Sequence, residues 1–260
     1  MTLKTRYNPL KRGFYLLLLL ALPLFSLADD NSALFNQANG QYAKAQYQAA
    51  VNGYQQILNG GYQSAVIYFN LGNAYYKLGD IPSALLYYEK AHKLAPSDED
   101  INFNIKFVDL KTSDKIEAVP EFFINRWWNG FILFFSVNTL GVLSVLFLIG
   151  GFLALSLYLL ANIVFVKRLS FFAGVGLIVA GLVFIFMANF QINYFNNHHQ
   201  AIIFSTSVTV KSTPDNNAKP LFVIHEGTKV DVIEKTNDWI EIELPNGNAG
   251  WISGSDVKEI

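Results

Sequence analysis

The stretch NLGNAYYKLGD, residues 70–80, decides how the amino-terminal half of the chain is read. Leu71, Gly72 and Tyr75 recur at a spacing that puts them on one face of a helix, while Asn70, Asn73 and Lys77 fall on another. Gly79-Asp80 ends that helix, Pro82 suits the first turn of a second, and Pro96 stops it. Gly72 and Ala84 are small where the two helices must approach closely, and Ala91 leaves room for a third. The expected unit is a pair of antiparallel helices that cannot bury its apolar face alone.

Read outward at a period of 34 residues, the unit 65–98 carries Tyr68, Leu71, Gly72, Tyr75, Ala84, Tyr88, Ala91 and Pro96. That set resembles the tetratricopeptide repeat at each signature place, with Tyr68 for the usual tryptophan. Residues 31–64 follow in the same register, with Ala38, Ala50 and Tyr54 at the places of Gly72, Ala84 and Tyr88. A partial third unit, 99–111, sets Ile105 at the place of Leu71 and is expected to cap the stack. The expectation for 29–111 is therefore an all-α tetratricopeptide solenoid. The resemblance implies a peptide-binding groove lined by Phe35, Asn39, Phe69, Asn70, Asn73, Tyr76 and Lys77. Asn39 and Asn70 match the asparagines of the carboxylate clamp of chaperone-binding members, but its cations are replaced by Phe35, Asp100 and Asn104. Amides flanked by rings suit an extended peptide; the alternative is a surface that only positions other parts.

A hydrophobic content of 52% against 15% charged residues is too apolar for one soluble domain. The excess lies in two runs, 139–165 and 169–190, each long enough as a helix to cross ~30 Å of hydrocarbon. With Lys167 and Arg168 between them, they are expected to form a transmembrane hairpin turning at 166–168. Gly150 and Ala154, and Gly176 and Ala180, are four apart and offer small faces for helix contact, or reflect ordinary glycine tolerance in membranes. Residues 112–138 hold a polar linker and then Trp127, Trp128, Phe131, Phe134 and Phe135. This aromatic segment is either a separate interfacial helix or an extension of the first span.

Residues 1–28 begin with Lys4, Arg6, Lys11 and Arg12, continue through the apolar run from Phe14 to Leu22, and end on Ser26-Leu27-Ala28. This is the layout of a signal peptide cleaved after Ala28, the alternative being an uncleaved anchor of the same orientation. Residues 29–124 carry seven lysines against eleven acids, and residues 201–260 five against nine. The basic residues concentrate in the signal's start and the hairpin turn, which places those in the cytoplasm and both acidic parts outside. A bacterial inner-membrane protein with both soluble domains facing the periplasm is expected.

Residues 201–260 alternate short β-prone runs with turn clusters such as Asn237-Asp238 and Pro245-Asn246-Gly247-Asn248. The string HEGTKVDVIEKTNDWIEIELPNGNAGWISGSDV resembles a bacterial SH3-like domain, a small all-β barrel. Trp239 and Trp251 are its marker aromatics, either part of a small core or platforms for a ligand such as peptidoglycan.

With no cysteine, and with His92, His198, His199 and His225 either isolated or adjacent, no metal or cofactor site is expected. No nucleophile or phosphate-loop motif argues for an enzyme, and a net charge of −1 argues against nucleic-acid partners. The whole order resembles the BatE proteins of bacterial aerotolerance operons, most specifically over NLGNAYYKLGDIPSALLYYEKA and LFVIHEGTKVDVIE. That resemblance implies a multidomain membrane adaptor working with envelope membrane proteins, among them von Willebrand A-type Bat proteins.

Overall fold

The computed structural model describes residues 29–117, 119–120 and 122–260. The segment 1–28, where a signal is expected, lies outside them. The chain divides into two compact units, one ending at Tyr62 and the other running from Gln63 to Ile260.

The first unit holds α1 (Asp29–Ala43) and α2 (Tyr47–Asn59). A tight turn joins them, with Ala45 at φ 58°. Ala38 and Gly53 face each other across the pair: a Cβ on Gly53 would lie 2.9 Å from that of Ala38. Tyr54 and Ile57 fill the rest of the buried face.

The second unit opens with α3 (Ala65–Leu78) and α4 (Ile81–Leu94), followed by α5 (Glu99–Asp109). Their ends are fixed by side chains the sequence supplies. Ser64 accepts from the Ile67 amide, Asp80 from that of Ser83, and Asp98 from that of Ile101. Gly79 terminates α3 with φ 83°, a left-handed conformation that favours glycine. Gly72 meets the Tyr88 ring, where an added Cβ would come within 2.7 Å. The α4 face is closed by two elements rather than one. Val108 of α5 covers part of it, and Ile202, Phe204 and Ile260 from the carboxy-terminal region cover the rest. The fifth helix is thus not the sole cap, because α4 has more apolar surface than one short helix can bury.

The aromatic segment forms its own helix, α6 (Phe123–Ile132), separated from α7 (Val137–Leu160) by a break at 133–136 where Ser136 caps the new helix. α7 and α8 (Val164–Asn197) are both long and apolar enough to cross a membrane. Their turn lies at 161–163, not 166–168. Ala161 and Ile163 take extended backbone angles on either side of Asn162, and Asn is a poor helix residue. Lys167 and Arg168 lie inside α8, where long basic side chains can reach toward the interface from a helical position. The close contact differs from expectation as well. A Cβ on Gly151 would meet the Gly174 carbonyl at 3.0 Å, and one on Gly181 the Ser144 carbonyl at 3.2 Å, whereas Gly176 faces open space.

The chain then forms a seven-stranded antiparallel sheet: β1 (Gln200–Ile203), β2 (Ser207–Lys211), β3 (Pro220–His225), β4 (Lys229–Thr236), β5 (Trp239–Glu243), β6 (Ala249–Ser253) and β7 (Val257–Glu259). The strand order is β3-β2-β6-β5-β4-β1-β7. Val208, Val210, Ile224, Val230, Ile240, Ile242 and Ile252 build its core from alternate positions. Gly250 is required there, since an added Cβ would lie 2.6 Å from Val210. Bulges occur in β2 after Val210 and in β4 between Val232 and Glu234, each increasing the local twist.

Candidate functional site

The residues expected to line a groove do two different jobs. In the first unit, the Tyr54 hydroxyl donates to the Asn39 carbonyl oxygen at 2.6 Å, and the Phe35 ring tilts against Tyr54 at 6.1 Å. The same constellation recurs 34 residues later. Tyr88 donates to Asn73 at 2.7 Å, and Phe69 tilts against Tyr88 at 5.8 Å. Each Phe–Asn–Tyr set ties the first helix of a pair to the second. Asn73 is therefore half-buried and bonded within the fold, while Lys77 on the same helix is exposed. The periodic reading placed it on the correct helix face. What it could not supply was the length of Tyr88, whose hydroxyl reaches across the pair.

Asn73 has a second partner. The Asn104 amide nitrogen, on α5, donates to the Asn73 oxygen at 3.0 Å and lies 3.4 Å from the Tyr88 hydroxyl. The three side chains close a small network linking α3, α4 and α5. This network uses neither the Asn73 amide nitrogen nor the Asn104 carbonyl oxygen. Exchanging the oxygen and nitrogen of both amides gives an equally bonded network and again leaves one donor and one acceptor. A backbone segment presents one C=O and one N–H per residue, so this pair matches an extended peptide in either assignment.

Rings surround the network. Tyr76 meets Phe107 edge-on at 5.8 Å, and Phe107 stacks with Phe103 at 6.1 Å. Phe103 is 65% exposed and Phe107 40%, which is costly for two adjacent rings in water. Lys77 is exposed at the end of α3, and Lys111 places its ammonium 5.5 Å from the Phe107 ring centre. Asn70 is half-buried on α3. Sequence reasoning stopped at α3 and missed Phe103 and Phe107. The signal was present: Phe103 stands one period after Phe69, and Phe107 one period after Asn73.

On the sheet, Trp239 and Trp251 do not belong to the core. Ile240, Ile242 and Ile252 take the inward positions beside them, and both tryptophans remain partly exposed on the opposite face. Trp251 pairs across β5 and β6 with Glu241 and across β2 with Lys211, whose ammonium sits 5.1 Å from the Trp239 ring centre. The face thus presents two indoles with a cation already resting on one of them. Among the described residues, no group of histidine and acidic side chains could hold a metal ion.

Comparison with known families assigns two parts of the chain. Residues 65–98 match the tetratricopeptide repeat, and residues 206–258 match the bacterial SH3 domain. No curated protein matches the chain.

Proposed function

We propose that this chain is a non-catalytic, membrane-anchored adaptor of the bacterial envelope that holds a protein partner in extended form on the α3–α5 face. The observation that carries this reading is the residual donor and acceptor on Asn73 and Asn104, set among Phe69, Tyr76, Phe103 and Phe107. A tetratricopeptide repeat is a protein-interaction module, which supports the same choice. α7 and α8 support anchoring, and the charge distribution supports an inner-membrane protein whose soluble parts face the periplasm. The resemblance to BatE proteins supports envelope membrane partners of the von Willebrand A type.

A photoreactive phenylalanine in place of Phe103, in the full chain in living cells, tests the reading. Irradiation is expected to yield a defined protein adduct that is lost when Phe107 and Tyr76 are both changed to Ala. Absence of any adduct at position 103, with the protein folded and in the membrane, would remove the adaptor role from this face. A second reading rests on the outward tryptophans: the bacterial SH3 domain binds peptidoglycan through Trp239 and Trp251. The same photoreactive residue at Trp251 would then capture murein fragments.

A further inference from the structure

Parts of the chain on either side of the apolar helices hold each other directly. Asp114, in the linker after α5, accepts three hydrogen bonds from the β3–β4 turn. The donors are the His225 backbone N–H at 2.7 Å, the His225 ring Nδ1 at 2.8 Å and the Thr228 hydroxyl at 2.7 Å. Beside them, Lys229 pairs with Glu89 of α4 at 2.9 Å, and the Glu89 side chain is only 7% exposed. Lys93 donates to the Ile260 carbonyl oxygen at 2.8 Å, and the Val119 N–H to that of Pro245 at 2.9 Å. Apolar contact completes the join. Ile202 is buried with Leu85 and Leu86, and Thr112 is buried where a Cβ on Gly227 would lie 2.8 Å away.

We propose that the segment from α3 through residue 117 and the β1–β7 sheet form one clasped head on a single side of the membrane, latched by Asp114. The proposal rests on α7 and α8 spanning a bilayer, as the adaptor reading does, but not on what the α3–α5 face binds. Contacts of 2.7–2.9 Å cannot be made across ~30 Å of hydrocarbon. The chain between them must therefore cross an even number of times. Two spans satisfy this. α6 cannot be a third, since its 10 residues extend only ~15 Å as a helix. The hairpin is thus an insertion that leaves the head near residue 119 and returns to it near residue 200. A three-donor carboxylate and an ion pair with one buried end are orienting, because breaking the pair leaves the Glu89 carboxylate without its cation while Lys229 returns to water. The clasp therefore fixes the α3–α5 face and the tryptophan face as parts of one body.

Because the chain has no cysteine, engineered thiols report without background. In the full-length protein in native membranes, Glu89→Cys with Lys229→Cys should join through a short bismaleimide, seen as a shifted band on a denaturing gel. Ser97→Cys and Ser255→Cys should label with a membrane-impermeant thiol reagent from the same side, and Asn162→Cys from the opposite side. Asp114→Ala should slow the crosslink by roughly tenfold, the loss expected for hydrogen bonds to a charged group. Circular dichroism of that variant separates an opened clasp from an unfolded chain, and unfolding alone would overturn the latch role. Labelling of Ser97→Cys and Ser255→Cys from opposite sides, or no crosslink, would overturn the clasped head. If all three thiols label from one side while the crosslink forms, the spanning helices fail and the one-sided head with them, leaving binding at Phe103 to be judged by its own adduct.

Discussion

At the scale of single residues, the Asn73–Tyr88–Asn104 network ties three helices together. Removing one hydroxyl, Tyr88→Phe, deletes the 2.7 Å bond to Asn73 while keeping the ring that Gly72 accommodates. A loss of about 0.5–1.5 kcal/mol in thermal or denaturant unfolding is expected, and a larger drop would mean the ring itself had moved. The sequence made Asn73 legible as a helix-face residue. Its buried role was hidden, because it depends on side chains 15 and 31 residues away. His92 gives a pH dependence. Burial pushes its pKa below the ordinary 6.5, opposed by Glu89, reinforced by Lys229 and opposed by Asn102, with Nδ1 buried and unpartnered among the described residues. The unfolded chain therefore takes up a proton near pH 6.5 that the folded chain resists. Stability is full above that pH and falls as the pH drops through 6.5 toward the depressed folded value. Melting temperatures measured at pH 7.5 and 5.5 should show this fall, and His92→Leu should flatten it.

Elements raise a different question, namely which small residues let α7 and α8 touch. Gly174→Leu would drive a side chain into Leu155 and the Gly151 carbonyl, within 2.8–3.1 Å of a first added carbon. It should separate the pair and cost roughly 1–3 kcal/mol or more. Gly176→Leu should be tolerated, since nothing lies within 4 Å of it. Unfolding in detergent micelles distinguishes the two, and equal behaviour would refute the observed helix contact. Composition revealed that two apolar helices exist, because length and hydropathy are local properties. The contact face was not legible: placing the turn at 161–163 shifts which residues meet, and Lys167 and Arg168 lie inside the helix, not at its turn.

For the whole molecule, the repeat and the sheet share a core. Ile202 is fully buried against Leu85 and Leu86, so Ile202→Asp should destabilise the helical repeat as well as the sheet. A loss of at least ~2 kcal/mol is expected for an unpaired buried carboxylate in place of an apolar side chain. Hydrogen exchange at α4 amides reads the effect directly; unchanged protection there would show that the two parts stand independently. Repeat period and strand alternation made both parts readable in the sequence. Their union was not, since nothing in Asp114 or Thr228 taken singly announces a partner so distant.

Asp114 and Thr228 are 114 residues apart, and that separation is also an interval of time. A ribosome adding ~5–20 residues per second releases α4 and Asp114 roughly 6–23 s before Thr228 exists. During those seconds Leu85 and Glu89 lack the cover of Ile202 and Lys229, while both apolar helices are still being made. The helical repeat must wait, half-finished, for the last strands to be made. Newly made chains should accordingly be most open to proteases at α4, and that vulnerability should end only when synthesis of the sheet is complete.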